Sequence, residues 1–160
     1  MHSLSKLLLS SLILCATFST KAQITNQEDA ISVEQQLAKS SFSEQKQSYP
    51  QLISYYSRNS LEKALNLSKR FVAEAKKQND KRAVADGLNL LGRTNIRMGN
   101  FAEAKQINVE ALFTYKALEN DTGVAAQYGN LGVIYEMSGD FPKALFFYQR
   151  ALKTYAKIKD

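Results

Sequence analysis

The sequence predicts an all-α protein that is built as a solenoid of antiparallel helix pairs. The first observation is an internal repeat, because residues 84–115 recur as residues 124–155 with a constant offset of forty positions. The second is that each copy holds two apolar stretches of helical spacing, separated by a glycine-containing break. A fixed period of about twenty to fifty residues is typical of repeat arrays. The shared positions are Val84/Val124, Ala85/Ala125, Leu91/Leu131, Gly92/Gly132, Gly99/Gly139, Phe101/Phe141, Ala104/Ala144, Ala111/Ala151, Leu112/Leu152 and Tyr115/Tyr155.

Each copy places a Leu-Gly pair inside its first helix, at Leu91-Gly92 and at Leu131-Gly132. Glycine within a helix costs about 1 kcal/mol relative to alanine. Its presence in both copies therefore predicts that another helix packs against this position too closely to leave room for a Cβ atom.

A tight turn is predicted after each first helix, at Gly99-Asn100 and Gly139-Asp140. Glycine readily adopts the left-handed conformation that ends many helices, and Asn or Asp suits the N-cap of the next helix. Glu103 follows Asn100 by three residues, a spacing that resembles a capping box. The second helix then shows an inward stripe at three- and four-residue spacing, formed by Phe101, Ala104 and Ala111 in one copy and by Phe141, Ala144, Tyr148 and Ala151 in the other.

A degenerate unit is predicted to precede these two copies, because Tyr55 and Ala64 match the pattern of the last unit. Pro50 is predicted to begin its first helix, since proline is tolerated in a first turn, and Ser60 is predicted to cap its second helix. The three units are 49–80, 81–120 and 121–160, and their predicted helix pairs are 50–58 with 61–77, 81–98 with 101–118, and 122–138 with 141–158.

The units resemble the tetratricopeptide repeat, a family whose pattern combines Leu-Gly and an aromatic residue in the first helix with small and aromatic residues in the second. The middle unit departs from that pattern at Asn95 and Asn108, where the family has aromatic residues. The forty-residue period is similar to the longer-helix branch of the family, seen in kinesin light chains and bacterial peptide-sensing regulators. The resemblance implies a right-handed α-solenoid. The residues that carry it are Leu91, Gly92, Ala104, Ala111, Leu131, Gly132, Tyr135, Ala144, Tyr148 and Ala151.

Residues 1–22 have the features of a secretory signal peptide. A short basic start is followed by an apolar run from Leu7 to Phe18, and small residues precede a cleavage site after Ala22. The apolar run is about twelve residues long, whereas a helix that spans a bilayer needs about 20. The sequence therefore predicts a cleaved leader and a periplasmic or secreted mature chain, with lipoprotein processing at Cys15 and an uncleaved anchor as the alternatives. Residues 23–48, rich in Gln, Ser, Glu and Asn, are predicted to be a polar leader or linker. The alternative is a weak amphipathic helix formed by Ala30, Ile31, Val33, Leu37 and Phe42.

The composition of the mature chain excludes several classes of function. Removal of the leader would take away His2 and Cys15, the histidine and the cysteine of the sequence, which also has no tryptophan. Disulfides, thiol nucleophiles, the usual zinc sites and a Ser-His-Asp triad are therefore excluded. Loss of Lys6 and Lys21 would lower the net charge from +6 to +4, and the remaining basic residues are spread along the chain, so nucleic-acid binding has little support. No enzyme activity, metal or cofactor is predicted.

The family resemblance implies a non-catalytic scaffold that binds a protein or peptide segment on a concave face lined by the first helices. The contact positions of the family fall here on Asn89, Arg93, Arg97, Asn130, Val133 and Glu136. Asn89 and Asn130 suit hydrogen bonding to the backbone of an extended peptide. Arg93 and Arg97 are one helical turn apart and suit the binding of a carboxylate, with a solvated helix face as the alternative.

The last predicted helix carries more apolar side chains than one partner helix can cover. Phe146, Phe147 and Tyr155 are candidates for an end interface, because exposed apolar surface of this kind marks a contact site. Two explanations stay open. In one, the chain is the front part of a longer protein, such as the sensor region of a membrane-bound histidine kinase. In the other, copies of the chain associate through this end.

Overall fold

The structure is a computed structural model that describes residues 24–159. This part of the chain forms seven α-helices and contains no β-strand, so the all-α prediction is confirmed. The leader predicted for residues 1–22 lies outside the described residues. The helices are α1 (Gln27–Leu37), α2 (Phe42–Asn59), α3 (Leu61–Lys77), α4 (Lys81–Met98), α5 (Phe101–Ala117), α6 (Asp121–Met137) and α7 (Phe141–Lys159).

The helices pack as an array of pairs: α2 with α3, α4 with α5, and α6 with α7. Each second helix also packs against the first helix of the next pair, and α1 packs against α2. The first helices touch one another along the array, α2 with α4 and α4 with α6, so together they line one side of it. Two clusters of buried apolar side chains fill the space between the helices, one around α1 to α3 and the other around α4 to α7. The predicted solenoid of helix pairs is confirmed.

The segment predicted as a solvated leader, residues 23–48, differs in the structure from Ile24 onward. It forms α1 and the first turns of α2, and Ile24, Ala30 and Leu37 are buried in the core of the first helix pair. The Glu44 carboxylate accepts a hydrogen bond from the backbone N–H of Ser41 at 2.9 Å, which fixes the start of α2. The few apolar residues of this polar segment are enough to hold it against the first helix pair, because they face the core.

Helix α2 begins at Phe42 rather than at Pro50, which lies inside the helix. An interior proline removes a helical hydrogen bond and costs about 3 kcal/mol. Packing of the preceding turns opposes this cost. Tyr49 is fully buried, its ring stacks on that of Phe71 at a centroid distance of 4.7 Å, and its hydroxyl accepts from Nε of Arg70 at 2.8 Å. Burial of one large apolar side chain contributes about 1.5–3 kcal/mol, so Tyr49 and Phe42 together can offset the proline. The other predicted helix boundaries agree with the structure to within one residue.

At Gly92 and Gly132 the second helix of the pair lies very close to the backbone of the first. A Cβ atom built on Gly92 would lie 2.6 Å from Nδ2 of Asn108, and one on Gly132 would lie 2.5 Å from Cε1 of Tyr148. Both distances are far below van der Waals contact, so the second helix leaves no room for a larger residue. The close approach that these glycines predict is present.

The turns within the last two pairs have the backbone that the sequence predicts. Gly99 has a φ of 79° and Gly139 a φ of 78°, both in the left-handed region that favours glycine. Asp140 then caps α7, because its Oδ1 accepts from the backbone N–H of Lys143 at 3.2 Å.

Asn100 occupies the N-cap position of α5 but its side chain makes no capping hydrogen bond. Its Nδ2 instead donates to Oδ1 of Asn95 at 3.2 Å. This bond draws the Asn100 side chain away from the first turn of α5, so the predicted capping box with Glu103 is wrong.

The inward stripe of the second helices is present except at Phe141. Phe101 packs against the core around α4 to α7, and Tyr148 is half-buried, whereas Phe141 is 66% exposed. Phe101 belongs to a pair with neighbours on both sides, but Phe141 belongs to the last pair that the structure describes, so the prediction that it faces inward is wrong. The buried members of the repeat pattern are Leu91, Gly92, Ala104, Ala111, Leu131, Gly132, Ala144 and Ala151, and Tyr135 is half-buried.

We expect Gly132→Ala to lower the free energy of unfolding by about 1–3 kcal/mol, because the new methyl group would collide with the ring of Tyr148. The matched control is Gly129→Ala in the same helix, where a Cβ would meet nothing within 4 Å. That substitution should raise the free energy of unfolding by about 0.5–1 kcal/mol through helix propensity. Urea denaturation followed by far-UV circular dichroism measures both. Equal effects of the two substitutions would contradict the close approach.

Candidate binding face

The candidate face lies where α4 and α6, the first helices of adjacent pairs, touch each other. Helix α4 carries Asn89, Arg93 and Arg97, and α6 carries the other three predicted residues. Asn89 and Asn130 are half-buried and meet between the two helices, whereas both arginines are exposed. Val133 is half-buried one turn beyond Asn130. The structure thus brings the two asparagines together and leaves the arginines free of that contact.

A cluster of four amide side chains holds α4 and α6 together. Oδ1 of Asn89 accepts from Nε2 of Gln127 at 2.9 Å and from Nδ2 of Asn130 at 3.1 Å. Nδ2 of Asn130 also lies 2.9 Å from Oδ1 of Asn108, which comes from α5. We refer to Asn89, Asn108, Gln127 and Asn130 as the amide cluster. Gln127 and Asn108 are fully buried, and sequence reasoning had not assigned either of them to the site.

Asn108 reaches the amide cluster because it lies directly against Gly92. Its Nδ2 donates to the backbone carbonyl of Ala104 at 2.7 Å, and its Oδ1 faces Asn130. Buried amides need such partners, since an unpaired one costs about 1–3 kcal/mol. The departure of Asn108 from the aromatic residue of the repeat pattern was the one sequence signal for its role. Gln127 gave no such signal, because its counterpart forty residues earlier is Gly87.

Two polar groups of the amide cluster keep their hydrogen-bonding capacity. Among residues 24–159, Nδ2 of Asn89 and Oδ1 of Asn130 have no side-chain or backbone partner, and both reach solvent. One is a donor and the other an acceptor. They therefore match the carbonyl and the N–H of a peptide backbone.

Arg93 and Arg97 present their guanidinium groups to solvent one helical turn apart. Within the described part of the chain neither forms an ion pair with a carboxylate. Two such groups on one helix face can accept a carboxylate or another oxyanion through paired N–H donors.

Glu136 is exposed on α6, but its carboxylate already accepts a hydrogen bond from within its own unit. The Tyr148 hydroxyl donates to Oε2 of Glu136. Burial and this carboxylate together raise the pKa of Tyr148 to about 12. The middle unit has a similar contact between α5 and α4, in which the Tyr115 hydroxyl donates to Oδ1 of Asp86 at 2.7 Å. Burial, reinforced by the Asp86 carboxylate, raises the pKa of Tyr115 as well.

The residues predicted for an end interface divide into two groups. Phe147 is half-buried, and its ring stacks on that of Tyr135 at a centroid distance of 5.4 Å with an interplanar angle of 3°. Phe146 and Tyr155 are 48% and 42% exposed. Phe147 is therefore a packing residue of the last pair, and of the three predicted residues only Phe146 and Tyr155 contribute to the exposed surface of α7.

Residues 24–159 lack two features that would suggest other functions. No helix in this range is long and apolar enough to cross a membrane. Nor does this range contain a group of three or more His, Cys, Asp or Glu side chains arranged to hold a metal ion.

The raised pKa of Tyr148 predicts a loss of stability at high pH. Its value rises from the ordinary 10.0 to about 12 in the folded chain, so folding favours the neutral phenol. This stabilisation is complete below pH 10 and is lost as the pH rises towards 12. We expect the free energy of unfolding to fall more steeply over this range in the wild type than in Tyr148→Phe, as measured by urea denaturation. Parallel curves would show that the phenol has no such interaction in the folded chain.

Comparison with known proteins supports the same fold. Residues 83–157 match a family model described as "Tetratricopeptide repeat", while no curated protein matches the chain. The TPR domain of Arabidopsis FLU is 25% identical with a TM-score of 0.64, over 78% of this chain and 98% of that one. BtubC (BKLC) from P. vanneervenii is 20% identical with a TM-score of 0.51, over 82% of this chain and 71% of that one. The chain therefore has the fold of a tetratricopeptide-repeat solenoid, and residues 83–157 match the sequence pattern of that family.

Proposed function

We propose that the chain is an exported, non-catalytic scaffold that binds an extended peptide segment of a partner protein on the face formed by α4 and α6. The observation that carries this proposal is the amide cluster, which leaves one hydrogen-bond donor and one acceptor free on that face. An extended peptide has backbone carbonyl and N–H groups that point to its sides. Nδ2 of Asn89 donates to such a carbonyl, and Oδ1 of Asn130 accepts from such an N–H.

The amide cluster also fixes the orientation of these two groups before a ligand arrives. Oδ1 of Asn89 holds both Gln127 and Asn130, so neither asparagine is free to rotate its amide without breaking a hydrogen bond. A site that is ordered in advance loses less conformational entropy on binding. Arg93 and Arg97 add two unpaired cations on α4, which suit an acidic side chain or a terminal carboxylate of the same segment.

Asn89→Asp is the sharpest test of this proposal. Aspartate keeps an acceptor for Gln127 and Asn130 but replaces the free N–H donor with a second oxygen. We expect peptides selected from a random phage-displayed library on the wild-type chain to bind Asn89→Asp about tenfold more weakly or worse, because a carbonyl would then face an unpaired carboxylate oxygen. Isothermal titration calorimetry with the selected peptides measures the affinity.

The matched control is Asn66→Asp, which makes the same change at an exposed position on α3, away from this face. It should leave peptide affinity unchanged. Undiminished binding by Asn89→Asp, or an equal loss in both variants, would contradict a role of the amide cluster in recognition.

Export rests on residues 1–22 and has its own test. The basic start, the apolar run and the small residues of this segment lead us to expect cleavage after Ala22, so that the mature chain begins at Gln23. Cell fractionation followed by intact-mass analysis determines both the compartment and the N-terminus. A chain recovered from the cytoplasm with Met1 to Ala22 still attached would contradict export.

The surface of α7 favours a second candidate function, the sensor region of a longer membrane signalling protein. Leu152 and Tyr155 are 71% and 42% exposed, whereas Leu112 and Tyr115, which precede them by forty residues, are 7% and 3% exposed next to α6. The surface of α7 is therefore of the kind that another first helix covers. A coding sequence that continues past Asp160 to a segment of about 20 apolar residues would support this candidate, and a stop codon at that point would exclude it.

Association of copies through the same surface is the remaining explanation. Sedimentation velocity over a range of concentrations tests it, with Tyr155→Glu as the variant. A wild-type chain that stays monomeric throughout would exclude self-association through α7.

A further inference from the structure

We propose that a basic pocket between α5, α6 and α7 is a second binding site, separate from the face of α4 and α6, and that it takes a phosphate-like oxyanion. The basic pocket is an open cavity of about 810 Å³. None of the residues predicted for the peptide-binding face lines it. The residues that matter to its chemistry are Lys116, Arg150, Lys153, Lys157, Tyr128 and Val124.

The corresponding groove of the preceding pair, between α3, α4 and α5, has a different arrangement of charges. There Lys76 at the end of α3 pairs with Glu110 of α5 through a salt bridge of 3.1 Å. Forty residues later the same two positions hold Lys116 and Arg150. A pair of opposite charges across one groove has become a pair of like charges across the next.

The other replacements between the two grooves change the charge in both directions, because Asn79 and Lys81 correspond to the carboxylates of Glu119 and Asp121. Phe113 and Ala117 of α5 correspond to Lys153 and Lys157 of α7, and the buried Leu88 of α4 corresponds to Tyr128 of α6. The later groove has gained the cations of Arg150, Lys153 and Lys157 but also two carboxylates in place of Asn79 and Lys81, so the net positive charge of these positions rises by one. Its floor has gained a phenol ring.

The cations converge on the floor of the basic pocket. Nζ of Lys116 lies 5.6 Å and Cζ of Arg150 lies 6.0 Å from the centre of the Tyr128 ring, from opposite flanking helices. Tyr128 itself is only 7% exposed. Burial acts to raise the pKa of its phenol, but the cations of Lys116 and Arg150 outweigh burial and hold that pKa below its usual value.

The carboxylates of the basic pocket do not balance its cations. Lys157 pairs with Asp121 at 3.4 Å, and Glu119 is the second acidic group of the lining. Lys116, Arg150 and Lys153 form no ion pair with a carboxylate within residues 24–159. Three unpaired cations against one carboxylate leave a local excess of two positive charges.

This excess matches the charge of a phosphate monoester dianion. The planar guanidinium of Arg150 offers paired donors to two phosphate oxygens, and Lys116 offers a point charge from the other side. The cavity volume lies within the range of about 300–1,000 Å³ that organic ligands occupy. Because Val124 and the Tyr128 ring add apolar surface next to the cations, a phosphate carried on an organic group fits better than the free ion.

Titration of the full chain with inorganic phosphate and with phenyl phosphate tests the proposal by calorimetry. We expect saturable binding of both, with phenyl phosphate the tighter ligand. Arg150→Glu recreates the Lys–Glu pair of the preceding groove and should weaken both ligands at least about tenfold. The Arg150→Glu variant should unfold at an unchanged or higher urea concentration than the wild type, since the repulsion between Lys116 and Arg150 is replaced by an attraction.

The matched control is Lys105→Glu, an exposed lysine on α5 outside the basic pocket that makes the same change in net charge. It should alter the affinities by no more than about twofold, because distant surface charges are screened. Phosphate binding should also raise the pKa of Tyr128, seen as a shift in the tyrosinate absorbance that Tyr128→Phe abolishes.

Equal affinities for the two probes would identify the free ion as the ligand of the basic pocket. The proposal is overturned if neither probe saturates the chain, or if Lys105→Glu weakens binding as much as Arg150→Glu does.

Discussion

The close approach of paired helices at Gly92 and Gly132 is the constraint on which the rest of the structure depends. Without a Cβ at Gly92, the side chain of Asn108 on α5 can lie directly against α4. From there its carbonyl oxygen meets Asn130 of the next unit, and through Asn130 the contact extends to Asn89. At Gly132 the same approach admits the ring of Tyr148, whose hydroxyl then reaches Glu136. In each of the last two units, the absence of a Cβ atom at this glycine thus allows Asn108 to reach Asn130 and Tyr148 to reach Glu136.

The middle and last units place different side chains against this glycine. Where the last unit fills the space with an aromatic ring, the middle unit fills it with an amide, and Asn95 on α4 replaces a second aromatic residue. Both buried amides are satisfied, Asn95 by the carbonyl of Leu91 and by Asn100, and Asn108 by the carbonyl of Ala104 and by Asn130. A hydrogen-bonded amide contributes less to stability than a buried ring, but it requires one register between neighbouring helices.

Features set by neighbours in sequence were predictable, and features set by distant partners were not. The bounds of α3 to α7, the left-handed turns at Gly99 and Gly139 and the closeness at the Leu-Gly pairs follow from local spacing. The start of α2 depends on the stacking of Tyr49 on Phe71, and Asn100 leaves its capping role for a bond to Asn95. Of the candidate site, Asn89 and Asn130 came from the family resemblance, but their contact with each other depends on Gln127 and Asn108. The peptide contacts of the six predicted residues stay a prediction.

The hydrogen bonds from Gln127 and Asn130 to Asn89 also have a mechanical consequence. They join the first helices of two units along the side of the array where these helices touch one another. A movement that separates α4 from α6 would break both hydrogen bonds together. The amide cluster therefore opposes the separation of α4 and α6 and resists opening between the last two units.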